Sequence, residues 1–179
     1  MSSRRFVAGV VLAGILLAGR HAGAVPPPAD SVLSAASTTA KAGKKNLLVV
    51  FHASWCGWCK KLEWVLSAPQ TKEILGRHFE RVELTVLERG EKEELENAGA
   101  EALLESLAGK DPGLPFTAVL DRKTHRPIAT SNMAGLGTNV GFPGKPDEVD
   151  HFVGMLRKGA PRMTAAEAET IRAAFPAPR

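Results

Sequence analysis

From Leu47 to Phe51 the chain runs Leu-Leu-Val-Val-Phe without a polar interruption, between polar neighbours on both sides. Such a run suits a central strand covered on both faces. Beyond it the period changes. Cys59, Leu62, Val65 and Leu66 recur at helical spacing, so a helix starts close to Cys56. Ser67 to Gln70 reads as a capping box, with Pro69 in the first turn of a new helix running to about His78. Arg81 to Leu87 is rich in Val and Leu and reads as a second strand. Strand, helical crossover and strand form a βαβ unit, whose crossover is right-handed by the general rule.

The downstream pattern is mixed. Glu91 to Leu107 reads as one helix with an acidic first half, and the six Glu from Glu88 to Glu101 read as a solvated face. Asp111-Pro112-Gly113 is a turn, Leu114-Pro115 follows, and Phe116 to Leu120 is another strand. Asp121 to Thr124 is a polar turn, after which Pro127 to Thr130 is placed to pair back as an antiparallel edge strand. Met133 to Gly144 carries four Gly but lacks the strand-to-helix context of a phosphate loop, so it reads as a structured loop. Pro146 to Lys158 is a helix with Val149, Phe152, Val153 and Leu156 on its inner face. Thr164 to Phe175 is a last helix, capped by Thr164 with Glu167 at the third position. Ahead of the first strand, Val25 to Pro28 is a Pro-rich extended lead. Asp30 to Lys45 then suits a short amphipathic helix, with Asp30 or Ser31 as N-cap and Gly43 near its end.

Residues 1–24 carry a different pattern. Arg4 and Arg5 precede an apolar run of 13 residues from Phe6 to Ala18, and Ala22-Gly23-Ala24 supplies small residues for cleavage. This reads as a secretory signal cleaved after Ala24; an uncleaved anchor is the alternative. The run falls short of the roughly 20 apolar residues that span a bilayer comfortably. The expected segments are therefore 1–24 as signal, 25–45 as lead and helix, 46–160 as the main domain and 161–179 as a C-terminal helix. The expected location is periplasmic or otherwise extracytoplasmic. Without the three Arg of residues 1–24, which hold no acid, the formal charge drops from +4 to +1. A near-neutral chain offers no electrostatic case for nucleic acid or an anionic membrane.

The two Cys of the chain, Cys56 and Cys59, lie three positions apart. Exported proteins use Cys pairs to staple distant segments, yet this pair closes almost no loop, and loop closure is where a staple gains stability. The spacing therefore points to chemistry. Disulfide exchange needs a thiolate ready to attack and a second thiol within reach to resolve the mixed disulfide. At a helix start, unpaired N–H groups and the helix dipole stabilise the thiolate of the first Cys, and the second lies one turn deeper and more buried. Cys56 is the expected nucleophile and Cys59 the resolving thiol.

The strand Leu47 to Phe51, the run Trp55-Cys56-Gly57-Trp58-Cys59-Lys60, and Leu114-Pro115 opening a later strand together resemble the thioredoxin superfamily. The resemblance implies an α/β thioredoxin-like fold, a central mixed sheet of about four strands flanked by helices. It implies a thiol–disulfide oxidoreductase acting on protein thiols and disulfides, a cis Leu114–Pro115 bond facing the Cys pair, and a substrate groove bordered by Trp55, Gly57, Trp58, Leu114 and Pro115. It implies no organic cofactor, and a membrane or soluble redox partner to reset the pair. A monomer is expected.

Two departures from thioredoxin itself stand out. The buried Asp beneath the resolving Cys is replaced, by register, by Val50, which cannot accept a proton; Glu83 on the second strand is a candidate substitute. The dipeptide between the Cys residues is Gly57-Trp58 rather than Gly-Pro, which leaves the direction of electron flow open. His52 and Lys60 flank the motif, as a packing histidine that could add positive potential and as an exposed helical lysine.

A redox-inactive binding module on the same fold is the main alternative. A metal site is a weaker one. Cys-x-x-Cys is half of a common zinc site, but there is no second Cys pair, and His52, His78, His125 and His151 lack ligand spacing.

Overall fold

A computed structural model describes residues 25–176. The signal read from residues 1–24 lies outside the described residues. Helix α1 (Ala29–Gly43) leads into β1 (Asn46–His52), followed by α2 (Gly57–Ser67), α3 (Pro69–His78) and β2 (Phe79–Thr85). A 3-10 segment (Gly90–Leu95) and α4 (Ala100–Ala108) precede β3 (Phe116–Leu120) and β4 (Pro127–Thr130), and α5 (Pro146–Gly159) and α6 (Ala165–Ala173) close the described chain. The strands form one mixed sheet in the order β2-β1-β3-β4, with β1 parallel to β2, β1 antiparallel to β3 and β3 antiparallel to β4.

The unbroken apolar run of β1 is explained by its two covered faces. Leu48 and Val50 join α2, α3, α5 and α6 in one core. Leu47, Val49 and Phe51 join α1 and α4 in the other. Full burial of each such side chain contributes roughly 1.5–3 kcal/mol. In β2 the two faces differ: Val82 and Leu84 enter the second core, while on the other face Phe79 joins the first core but Arg81 and Glu83 ion-pair on the α2 side, where Arg81 also reaches Glu63. That half-charged edge is why the sequence there alternates imperfectly.

Four expectations need correction. Strand β2 begins at Phe79 and ends at Thr85; Leu87, with φ at +53°, already turns away. The helix expected over Glu91–Leu107 is broken into the 3-10 segment and α4. Between them the Asn97 amide accepts from Thr85 N–H (2.8 Å) and donates to Pro27 C=O (2.8 Å), and Gly99 takes φ +82°. A side chain tied to both the end of β2 and the lead into α1 cannot sit on a free helical face. The N-cap of α1 is Pro28, because the Ala29 N–H is already bonded to Ala98 C=O at 2.9 Å. Ser67 forms no capping box: its hydroxyl donates to Glu63, and Ala68 starts α3 without a side-chain cap, leaving Pro69 at the first position.

The box at α6 does form. Thr164 Oγ1 accepts from Glu167 N–H, and the Glu167 carboxylate accepts from Thr164 N–H at 2.8 Å. Glu167 also binds Arg77 (2.9 Å) and His78 (3.1 Å), fastening α6 to α3. The Thr164 N–H first, and then Arg77, hold its carboxyl down at about 2.

Candidate active site

β1 ends at His52, whose C=O accepts from Val86 N–H at 2.9 Å. The chain then turns, with Cys56 N–H donating to Ala53 C=O at 3.1 Å. Cys56 is the N-cap of α2, in extended conformation, and its Sγ accepts from Cys59 N–H at 3.1 Å. The two Cys form a disulfide across a Cα–Cα distance of 5.3 Å. A sulfur at an N-cap faces the backbone donors that stabilise a thiolate once the bond is reduced. Cys59 is not the more buried of the two: Cys56 is 4% exposed and Cys59 7%. The bonded Cys56 Sγ lies over the first turn of α2; both Cys cluster with Ala53 and Leu114, and Cys59 also borders an open cleft.

The Leu114–Pro115 peptide is cis, and Leu114 packs against the Cys cluster. Gly57 opens α2, and a Cβ there would meet nothing within 4 Å, leaving that side of the pair open. Trp55 and Trp58 are both exposed but are held differently. Trp55 donates from Nε1 to Leu87 C=O (2.6 Å) and carries Arg89 over its ring at 4.2 Å. Trp58 stacks on Phe142 at 5.7 Å and carries Lys61 at 4.0 Å. Phe142 and Phe175 then continue the aromatic line to Phe152 in the core.

Residues 29–122 match the family described as thioredoxin-like, more than half of the chain. The chain belongs to the thioredoxin-like family. No curated protein matches it. Three solved structures are similar in part. A disulphide isomerase from Xylella fastidiosa Temecula1 shares 21% identity over 66% of this chain and 81% of its own, with a TM-score of 0.46. A DsbH oxidoreductase shares 20% over 81% and 95%, with a TM-score of 0.45. A thioredoxin from Thermus thermophilus shares 18% over 74% and 83%, also at 0.45.

In this thioredoxin-like chain the cleft beside Cys59 has a volume of about 240 Å³ and is lined by Val50, His52, Ser54, Lys60, Glu63 and Glu83, among others. Glu83 is the register partner of Val50 on the neighbouring parallel strand. A carboxylate thus enters the cleft one strand away from the position where Val50 supplies none. Lys60 is exposed and His52 half-buried, both on the rim of this cleft.

Two residues near the site were not singled out by sequence. Asn139, in the Gly-rich loop, donates to Gly113 C=O (2.7 Å) and Pro115 C=O (3.1 Å), and its oxygen accepts from Ser131 Oγ (2.7 Å) and Gly141 N–H (3.1 Å). It ties that loop to the strand bearing Pro115. Glu88, expected on a solvated face, is 7% exposed. Its carboxylate accepts from the Ser54 N–H (2.5 Å) and Ser54 Oγ (2.8 Å), two residues before Cys56. A signal was present for it: Glu88 directly follows the apolar Val86-Leu87, and Arg89-Gly90 separate it from the exposed Glu run.

Among the described residues no group of three or more His, Cys, Asp or Glu could hold a metal ion. Nor is any helix there long and apolar enough to cross a membrane.

Proposed function

We propose that the protein is a thiol–disulfide oxidoreductase that exchanges disulfides with exported protein substrates through Cys56 and Cys59. The observation that carries the reading is the Cys56–Cys59 disulfide at the N-cap of α2, with Cys56 Sγ accepting the Cys59 N–H. Membership of the thioredoxin-like family supports it at the level of chemistry.

In the reducing direction the Cys56 thiolate attacks one sulfur of a substrate disulfide. A Cys56–substrate disulfide forms, the substrate S–S bond breaks, and the leaving thiolate takes a proton. Cys59 then gives up its proton and attacks Cys56 Sγ, closing the Cys56–Cys59 bond and releasing the second substrate thiolate. The substrate gains two electrons and the pair loses two; the oxidising direction is the reverse. Trp55, Gly57, Trp58, Leu114 and Pro115 form the surface on which the substrate chain lies, the two Trp giving it an apolar platform. A thiol or disulfide redox partner, membrane-bound or soluble, resets the pair. The protein works outside the cytoplasm as a monomer, the location resting on the pattern of residues 1–24.

The test is equilibration of the full chain with glutathione buffers, followed by insulin reduction. The wild-type pair should cycle between dithiol and disulfide, and the midpoint states whether it donates or accepts electrons. Cys56→Ser should bring turnover to background. A Cys56→Ser chain as active as wild type would end this reading, and so would a pair that never cycles.

A further inference from the structure

Glu88 is the buried member of a small polar network. Its two carboxylate oxygens take the N–H and the hydroxyl proton of Ser54, and Lys92 Nζ donates to the same hydroxyl oxygen at 3.2 Å. The Glu88 N–H donates to Glu96 Oε1 at 2.7 Å. The Glu88 carboxylate accepts both Ser54 bonds and donates none. Ser54 and Trp55 make up the turn between Ala53 and Cys56, so Glu88 and the neighbouring Leu87 C=O hold both of its central residues. A charge fixed in a water-poor place acts more strongly on its neighbours than one in solvent.

We propose that Glu88 is a positioning residue for Cys56, which fixes the turn that presents the sulfur and sets against its thiolate a buried negative charge. The proposal rests on the oxidoreductase reading. The α2 N-terminus favours the Cys56 thiolate, and Glu88 opposes it from the loop after β2. Raising the thiolate's energy destabilises the reduced pair relative to the disulfide, which makes the couple more reducing. The other charged groups around this turn are Lys92 and Glu96 in the same network, Arg89 over Trp55, and His52, Lys60, Glu63 and Glu83 lining the Cys59 cleft. None of them accepts from the turn's backbone; Glu88 does.

The test uses the reduced full chain. Thiolate ultraviolet absorbance and alkylation rate are followed against pH for wild type, Glu88→Gln, Glu88→Asp and, as a control, Glu94→Gln on the exposed 3-10 face. Glu88→Gln keeps an oxygen for the Ser54 N–H, so it should melt close to wild type. Its Cys56 titration should fall by about half a pH unit or more, and its glutathione equilibrium should move about threefold toward the dithiol. Glu88→Asp should keep the wild-type midpoint, and Glu94→Gln should match wild type. An unshifted or upward-shifted Glu88→Gln overturns the proposal. So does an equal shift in Glu94→Gln, a Glu88→Asp that behaves like Glu88→Gln, or a Glu88→Gln chain that does not fold. A wild-type pair that fails to cycle is a separate result, against the oxidoreductase reading itself.

Discussion

The two sulfurs lie one helical turn apart in unlike surroundings. Both pack in one cluster with Ala53 and Leu114, but Cys56 is the more closely held: the Cys59 N–H points at it, and the turn before it is tied down by Glu88 and by the Trp55–Leu87 bond. Cys59 borders a cleft whose walls carry Glu63 and Glu83. On the oxidoreductase reading, attack and release would answer to different physics: the first sulfur to fixed dipoles and packing, which need no rearrangement when charge appears, and the second to the carboxylates that line its cleft. Substitutions on one side should therefore alter one step and spare the other.

The sharpest way to break this division is to remove the sulfurs in turn. Cys56→Ser should lower turnover by several orders of magnitude, because the attacking thiolate is gone. Cys59→Ser should lower turnover to a similar extent by another route: the first attack still occurs and the mixed disulfide cannot be resolved. Mass spectrometry after mixing with a disulfide-bonded peptide should find the Cys59→Ser chain covalently attached and the Cys56→Ser chain free. Stable attachment through Cys59 in the Cys56→Ser chain would reverse the assignment.

A smaller effect is expected from the cleft. Val50 cannot take the Cys59 proton, and Glu83 is the carboxylate its register partner brings there. Glu83→Gln should slow resolution of the mixed disulfide by about tenfold, below the roughly hundredfold or more typical of general acid–base catalysis because the transfer passes through solvent. It should leave the first attack at the wild-type rate, and stopped-flow measurement of the two phases separates them. Equal slowing of both phases would mean that the two sulfurs do not have separate control.

Much of this arrangement is legible in the sequence, and the limits have physical causes. The five-residue apolar run of β1, the helical spacing after Cys56, and the Thr164–Glu167 box at α6 are local patterns that the fold keeps, whereas the box read at Ser67 fails because its hydroxyl goes to Glu63. The family resemblance carried Leu114-Pro115 to the Cys pair, a contact between distant segments that periodicity alone does not contain. Most of what was misread is decided by long-range partners. Asn97 breaks a helix because Thr85 and Pro27 claim its amide. Glu88 looks like one of a solvated acidic set until the turn before Cys56 closes over it. Asn139 sits among glycines that give no hint that it grips the carbonyl of Pro115. In each case the sequence shows a polar residue and the fold decides its partner.

The smallest effect lies farthest from the sulfurs and tests whether the site is insulated from the rest of the fold. Helix α6 is fastened by Glu167 to Arg77 and His78 on α3, and its Phe175 meets Phe142, on which Trp58 stacks. The Glu167 carboxyl is lowered from 4.5 to about 2, chiefly by the Thr164 N–H and then by Arg77. A folded-state value below the unfolded one means that this contribution is complete above about pH 4.5 and is lost as pH falls toward about 2. Glu167 is on the surface, where solvent screens its pairs, so the loss should be modest. Thermal midpoints measured across that window should fall more steeply for wild type than for Glu167→Gln, which has no proton to gain. Above pH 5 the glutathione equilibrium of Glu167→Gln should match wild type, since no charge near either sulfur has changed. A shifted equilibrium there would show the aromatic line from Phe175 to Trp58 transmitting the state of α6 to the redox pair, and the division between the two sulfurs would then have to include the C-terminal helix.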